Sequence, residues 1–139
     1  MDHPLTAAHA GFLTGRHFAT IATVDEDGAP RQAVAWYAHL EDGRILLNSR
    51  HPRRWCENLI RDRRVALAIA SDPYHWLGIT GVVDEVVDDP GRARDDIVML
   101  ARRYSDDGTV DPAAEAEFRS QPRVTFLVRV TGVHDHLAG

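Results

Sequence analysis

Residues 44–59 read RILLNSRHPRRWCENL, and this stretch decides the fold of the chain. Its first part, Ile45 to Leu47, follows a turn-forming Glu-Asp-Gly segment and predicts a β-strand. Its second part contains Pro52, a residue favoured at the first position of a helix because its missing N–H needs no partner there. Apolar residues then recur with the spacing of one helical face. These residues are Trp55, Cys56, Leu59 and Ile60.

Arginines crowd the start of this predicted helix, and the first acid comes only at Glu57. A helix N-terminus already carries partial positive charge, so each cation there costs about 0.3–1 kcal/mol. The cluster becomes favourable if an anion docks on the free N–H groups and the guanidinium forks. The pattern therefore predicts a phosphate site between strand and helix, while solvated or salt-bridged arginines are the open alternative. The candidates are Ser49, Arg50, Arg53, Arg54 and Asn58.

Composition limits the class of protein. A chain of 139 residues is expected to form one domain, residues 1–139, with a real core. Its net charge of -5 argues against a nucleic-acid binder. We expect no membrane contact, since there is no apolar run long enough to span a bilayer and no signal-peptide pattern. One cysteine, Cys56, excludes an intramolecular disulfide and favours a cytoplasmic location.

Alternating apolar residues and Asp-Gly turns predict a mainly β (α+β) domain of six strands, Greek-key-like and joined mostly by hairpins, with short helices between the strands. The predicted strands are 17–24, 30–39, one starting at 45, 65–70, 76–87 and 123–133. The predicted helices are 5–14, the arginine-bearing helix, one opening at 88–90 and one over 111–120.

The sequence contains no convincing catalytic constellation. Its serines lie outside any nucleophile-elbow context, and no cysteine pair has metal-ligand spacing. His134 and His136 could hold a metal, but a solvated tail is the favoured interpretation, so we expect no metal site. A phosphate site without catalytic side chains is typical of hydride transfer, in which the cofactor carries the chemistry. The aromatic residues suit a flat slot, although core or dimer packing is the alternative. They are Trp36, Tyr37, Tyr74 and Trp76.

The order of these parts resembles the pyridoxamine 5'-phosphate oxidase-like split β-barrel superfamily, and within it the branch of coenzyme F420-dependent enzymes. The resemblance covers nearly the whole chain and rests on the order and spacing of several short motifs. They are 18–23 with 27–30, Asn48-Ser49, Arg53-Arg54-Trp55, Asn58-Leu59, 64–67, Pro73-Tyr74 and Arg123-Val124.

The resemblance implies a six-stranded split barrel that forms a homodimer, with the cofactor in a groove at the subunit interface. By matching position, Ser49, Arg53, Arg54 and Asn58 would hold the cofactor phosphate, and Asn48 and Arg50 would also belong to the cofactor-binding site. Gln32, Val34 and Trp36 would line the ring. Tyr74 and Trp76 would come from the partner subunit or close the slot.

Two departures from the family pattern matter. Many relatives carry a lysine where this chain has Trp55, so Arg54 would have to supply that charge. The closing signature of true pyridoxamine phosphate oxidases is missing, which argues against vitamin B6 oxidation.

The functional hypothesis from the sequence is an F420-dependent reductase that passes hydride to a small organic acceptor. An FMN-dependent oxidoreductase of the same fold is the alternative enzyme, because both cofactors present a phosphate near the ring. The acidic tail of F420 would need further arginines, for which Arg31, Arg50 and Arg129 are candidates. A non-catalytic flavin-, F420- or haem-binding protein is the alternative from another class.

Overall fold

A computed structural model describes residues 4–137 of the chain. The elements are α1 (Ala7–Leu13), β1 (Ala19–Val24), β2 (Pro30–Ala35), β3 (Ala38–His39), β4 (Ile45–Arg50), α2 (Arg54–Arg61), β5 (Arg64–Asp72), β6 (His75–Val87), α3 (Pro90–Arg103), α4 (Pro112–Arg119) and β7 (Arg123–His136). Every pairing between neighbouring strands is antiparallel, and the sheet curls into a half-barrel with the strand order β2-β1-β5-β6-β7-β4-β3. This architecture confirms the split barrel that the sequence predicts.

The concave face of the sheet holds the main core. In β5, Val65, Leu67 and Ile69 are buried, whereas the alanines between them face outwards, as the alternation predicts. Helix α2 covers the concave face with Trp55 and Leu59, both buried. The helix is thus held by its apolar stripe, and its polar residues face the two sides.

Helices α3 and α4 lie beyond the opposite face of β3, β4 and β7. Ile97 and Leu100 of α3 pack against Leu46 and Leu127, which form a second apolar cluster. Both helices begin where the sequence predicts, and their caps, Asp89 and Asp111, each accept a hydrogen bond from a first-turn N–H. None of the helices in residues 4–137 is both long and apolar enough to cross a membrane.

Residues 36–37 interrupt the predicted strand 30–39, so the sheet has seven strands rather than six. The backbone N–H of Tyr37 donates to the Tyr104 hydroxyl (3.3 Å), and its carbonyl accepts from Arg103 (2.9 Å). These side chains take the backbone groups that a strand neighbour would otherwise bind, and the chain bends to bury the Tyr37 ring completely.

Two predicted boundaries also differ. Helix α2 starts at Arg54, with Arg53 as its cap residue, and not at Pro52. Strand β7 extends to His136, so His134 and His136 lie on a strand beside Trp76 and not in a solvated tail. The pairing of β7 with β6 continues through this segment and supplies its backbone hydrogen bonds.

Arg103 fastens the C-terminal end of α3 to two distant segments. Its guanidinium donates to the carbonyls of Leu13, Thr14 and Gly15, at the end of α1, and to that of Tyr37. The four bonds satisfy carbonyls that no further helical turn could reach.

Candidate functional site

A cleft of about 320 Å³ lies at the junction of α2, β2, β4, β7, α3 and α4. We call it the aromatic cleft. It is lined by Phe18, Val34, Ala35, Trp36, Asn48, Arg53, Trp55, Ile97, Leu100, Phe118 and Arg123.

The walls of the aromatic cleft are flat and apolar. Trp36 is stacked on Tyr104 with 5.3 Å between ring centroids and 12° between planes, and Phe18 stacks on the same tyrosine. Phe118 meets Trp36 edge-on at 6.4 Å. Because Tyr104 also donates its hydroxyl proton to the His17 carbonyl (2.5 Å), the aromatic wall has a fixed position.

Three arginines lie close together at the polar end of the cleft: Arg53 and Arg123 line it, and Arg50 lies near Arg123. Arg50 and Arg123 are directly opposite each other on β4 and β7, an arrangement of like charges that destabilises a sheet. Burial, together with the charges of Arg53 and Arg50, lowers the pKa of Arg123 to about 10. Among residues 4–137, no carboxylate forms an ion pair with any of the three. Within the described part of the chain, the cluster is therefore a concentrated positive charge without a carboxylate counter-ion.

Unsatisfied donors surround this arginine cluster. Within the described chain, the Ser49 hydroxyl and the Arg50 Nε are buried and have no hydrogen-bond partner. Helix α2 has no side-chain hydrogen bond to its first turn, in contrast to α1, α3 and α4. A buried donor without an acceptor costs about 1–3 kcal/mol, and an anion would remove that cost.

Asn48 connects the cleft to a buried polar chain. Its side-chain amide donates to the Thr125 hydroxyl (3.0 Å) and to the Ala93 carbonyl (2.9 Å), while its oxygen lies 3.5 Å from Arg123. The Thr125 hydroxyl in turn donates to Asp96 (2.7 Å). These bonds fix the orientation of the amide, so the Asn48 oxygen faces the arginine cluster.

The other side of α2 carries a second cleft of about 470 Å³, the hairpin cleft, next to the β1–β2 turn. Arg54 reaches Asp25 there (3.4 Å), and the Asn58 amide donates to Asp25 (2.8 Å) and to Thr23. Hydrogen bonds from Arg31 and Asn58 lower the pKa of Asp25 to about 2. The hairpin cleft is lined by Asp25, Glu26, Asp27, Pro52, Arg54, Glu57, Asn58 and Arg61.

The structure thus divides the predicted site residues. Val34, Trp36, Asn48 and Arg53 line the aromatic cleft, and Arg50 lies close enough to affect Arg123. Arg54 and Asn58 point into the hairpin cleft and are engaged with Asp25.

Three further candidates lie outside the aromatic cleft of this chain. Gln32 is exposed on the outer face of β2, and Tyr74 is 80% exposed in the β5–β6 turn. Trp76 lies on the outer face of β6, stacked with His134 and His136 at 5.4 and 4.5 Å. None of these three residues lines the aromatic cleft or the hairpin cleft.

The reasoning from residue patterns missed the contributions of Phe18, α3, α4 and Arg123. The only signal for Arg123 is the family resemblance of the Arg123-Val124 segment, because no local pattern shows that β7 pairs with β4. Ile97, Leu100 and Phe118 appear in the sequence only as apolar positions of amphipathic helices.

Comparison with known proteins identifies the relatives of the chain. The family model described as pyridoxamine 5'-phosphate oxidase matches residues 5–137. A solved F420 reductase is 25% identical, with a TM-score of 0.76 over 94% of this chain and 98% of that protein. No curated protein sequence gives a significant match.

Two more solved structures show how varied the proteins of this fold are. A conserved hypothetical protein from Mycobacterium tuberculosis is 24% identical, with a TM-score of 0.71 over 97% of this chain and 88% of that one. The haem storage protein HutZ from Vibrio cholerae is 18% identical, with a TM-score of 0.69 over 94% of both chains. At these identities the likeness shows a shared fold and no more.

Proposed function

The chain belongs to the pyridoxamine 5'-phosphate oxidase family, and we propose that it is an oxidoreductase that uses coenzyme F420 to transfer hydride to or from a small organic molecule. The observation that carries the proposal is the cluster of Arg50, Arg53 and Arg123. Among residues 4–137 these arginines form no ion pair with a carboxylate, and Arg53 and Arg123 line the end of a flat apolar cleft. A phosphate-bearing ring cofactor matches both parts.

The residues of the cleft fit such a cofactor. Within the described chain, the Arg50 Nε without a partner and the uncapped N-terminus of α2 supply donors for a phosphate. The Ser49 hydroxyl, which lies beside the Cys56 sulfur and does not line the cleft, is not assigned to the phosphate. Arg53 and Arg123 would neutralise its charge, and Asn48 would hold Arg123 in place. Trp36 and Val34 would lie along the ring. The predicted roles of Arg54 and Asn58 in phosphate binding are not part of this proposal, because both face the hairpin cleft.

In the proposed mechanism the bound deazaflavin supplies the hydride chemistry. The protein orients the ring against the apolar wall and excludes water from it through Trp36, Ile97, Leu100 and Phe118. Asn48, Arg53 and Arg123 are the polar residues that line the cleft within the described chain, and none is a general acid or base at neutral pH. Any proton that the acceptor needs would therefore come from solvent.

We further propose that the working form is a homodimer. Alanines, glycines and threonines cover the outer face of the sheet, and two cleft residues at its margin, Phe18 and Val34, are 59% and 68% exposed. A second copy packed on this face would bury both and close the cleft. It would also bring the partner's exposed Tyr74 and half-buried Trp76 towards the ring.

FMN is the alternative cofactor, since its phosphate would use the same arginines. The similarity to a solved F420 reductase favours F420. Haem is less compatible with this cleft, because none of its described lining residues is histidine, cysteine or methionine.

Separate titrations with F420 and FMN, followed by ring fluorescence, test the proposal. We expect tight binding of F420 and weaker binding of FMN by at least about tenfold. Tighter binding of FMN would indicate that the protein is a flavin-dependent enzyme instead. Binding of neither would overturn the proposed function. Sedimentation at micromolar concentration tests the dimer, and a monomer would remove the partner's contribution to the site.

A further inference from the structure

A second group of chemically active side chains lies at the turn between β4 and α2. His51, Cys56 and Glu57 each offer one possible ligand atom, and these three atoms lie within 4.8 Å of one another. The His51 Nδ1 is 2.5 Å from a Glu57 carboxylate oxygen. None of these three residues lines the aromatic cleft.

We propose that His51, Cys56 and Glu57 bind a thiophilic divalent cation, with Zn²⁺ as the best match. Imidazole nitrogen, thiolate sulfur and carboxylate oxygen are all donors that Zn²⁺ takes in proteins, and water would complete a tetrahedron. This inference stands apart from the proposed cofactor, because it uses none of the residues assigned to that site.

The surroundings of the three ligands fit a metal site. Cys56 is completely buried, whereas His51 and Glu57 are each nearly half exposed, so an ion can enter from solvent. The Ser49 hydroxyl is also completely buried, lies beside the Cys56 sulfur, and has no other partner within the described chain. A hydroxyl in this position would donate to a metal-bound thiolate, as outer-shell groups in zinc proteins do.

Charge and geometry set the conditions for binding. A thiolate and a carboxylate together neutralise a divalent cation, which would otherwise be repelled by the nearby arginines. Binding would displace the thiol proton to solvent. The His51–Glu57 contact would have to open by roughly 1 Å to accommodate tetrahedral ligands, and partial exposure leaves both side chains room to move.

Cobalt substitution provides a direct test, because Cys56 is the only cysteine of the chain. Adding Co²⁺ to the purified protein should produce a sulfur-to-cobalt charge-transfer band, and Zn²⁺ should displace the cobalt and abolish the band. A Co²⁺ titration without such a band would overturn the proposal.

Variants separate a three-ligand site from a lone thiol. Cys56→Ser should abolish the band. His51→Ala and Glu57→Gln, which alter half-exposed side chains, should each weaken Co²⁺ and Zn²⁺ binding by at least about tenfold. His134→Ala, which removes an imidazole elsewhere on the surface, should leave the band unchanged. Retention of full affinity in both His51→Ala and Glu57→Gln would also overturn the proposal.

Discussion

Helix α2 separates two clefts that differ in whether their arginines are paired with carboxylates. In the hairpin cleft, Asp25 accepts hydrogen bonds from Arg31, Arg54 and Asn58, so the charges are compensated within the chain. In the aromatic cleft, Arg53 and Arg123 form no ion pair with any described carboxylate. The comparison suggests that the paired arginines support the fold, whereas the unpaired arginines are kept for a ligand.

Removing the buried charge of the aromatic cleft should give the largest effect. Arg123→Met should weaken F420 binding by at least about 30-fold, since a buried charge contact is worth about 2 kcal/mol or more. The same change should alter the melting temperature of the ligand-free protein only slightly. It removes a cation held near two others, but it also removes the hydrogen bonds that Arg123 donates to Gln121. Fluorescence titration and thermal unfolding measure the two effects. Unchanged affinity would show that the phosphate lies elsewhere.

The adjacent Arg53 and Arg54 provide a matched pair that tests the comparison itself. Arg53→Gln should weaken cofactor binding by about tenfold, whereas Arg54→Gln should change it by less than about twofold. Both variants lose the same charge at the same end of α2, so a general electrostatic effect cancels. Titrations at equal ionic strength measure the difference. Equal losses in the two variants would contradict the division between the clefts.

Substitutions in the hairpin cleft should lower the stability of the protein and leave cofactor binding nearly unchanged. Asn58 is buried and donates to both Thr23 and Asp25, so Asn58→Ala should lower the free energy of unfolding by about 1–3 kcal/mol. Cofactor affinity should stay within about twofold of the parent protein. Urea unfolding and the F420 titration measure both quantities. A large loss of cofactor affinity with unchanged stability would show that Asn58 contributes to phosphate binding.

The smallest expected effect is a change in how the melting temperature depends on pH in acid. The pKa of Asp25 in the folded protein is about 2, below its ordinary value of 3.8, so the carboxylate stabilises the fold above pH 4. This contribution is lost as pH falls from about 4 to about 2, because the unfolded chain binds the proton first. Asp25→Asn should therefore make the melting temperature less dependent on pH within this window. An unchanged pH dependence would argue against the role of Asp25 as the counter-ion.

Local patterns in the sequence predict most of the fold because turns, caps and alternation are local properties. The strands predicted over 65–70 and 76–87 and the helices predicted to open at 88–90 and to cover 111–120 are all confirmed within two residues. The break at Trp36-Tyr37 could not be predicted, because it depends on Arg103 and Tyr104, far along the chain.

The candidate site was less predictable for the same reason. Its location at the end of β4 follows from the arginines themselves, but the direction of each arginine depends on how α2 packs on the sheet. Arg123 enters the site through the register of β7 with β4, which no nearby residue indicates.

The long separation of these partners in the chain has a kinetic consequence. Asn48 and Thr125 are 77 positions apart, and Arg103 bonds to carbonyls up to 90 positions away. Contacts that close such long loops tend to form late in folding, because chain entropy is lost before the contacts provide any stabilisation. A ligand that needs the completed arginine cluster would therefore bind after the main barrier has been crossed. Such a ligand would slow unfolding and leave the rate of folding nearly unchanged.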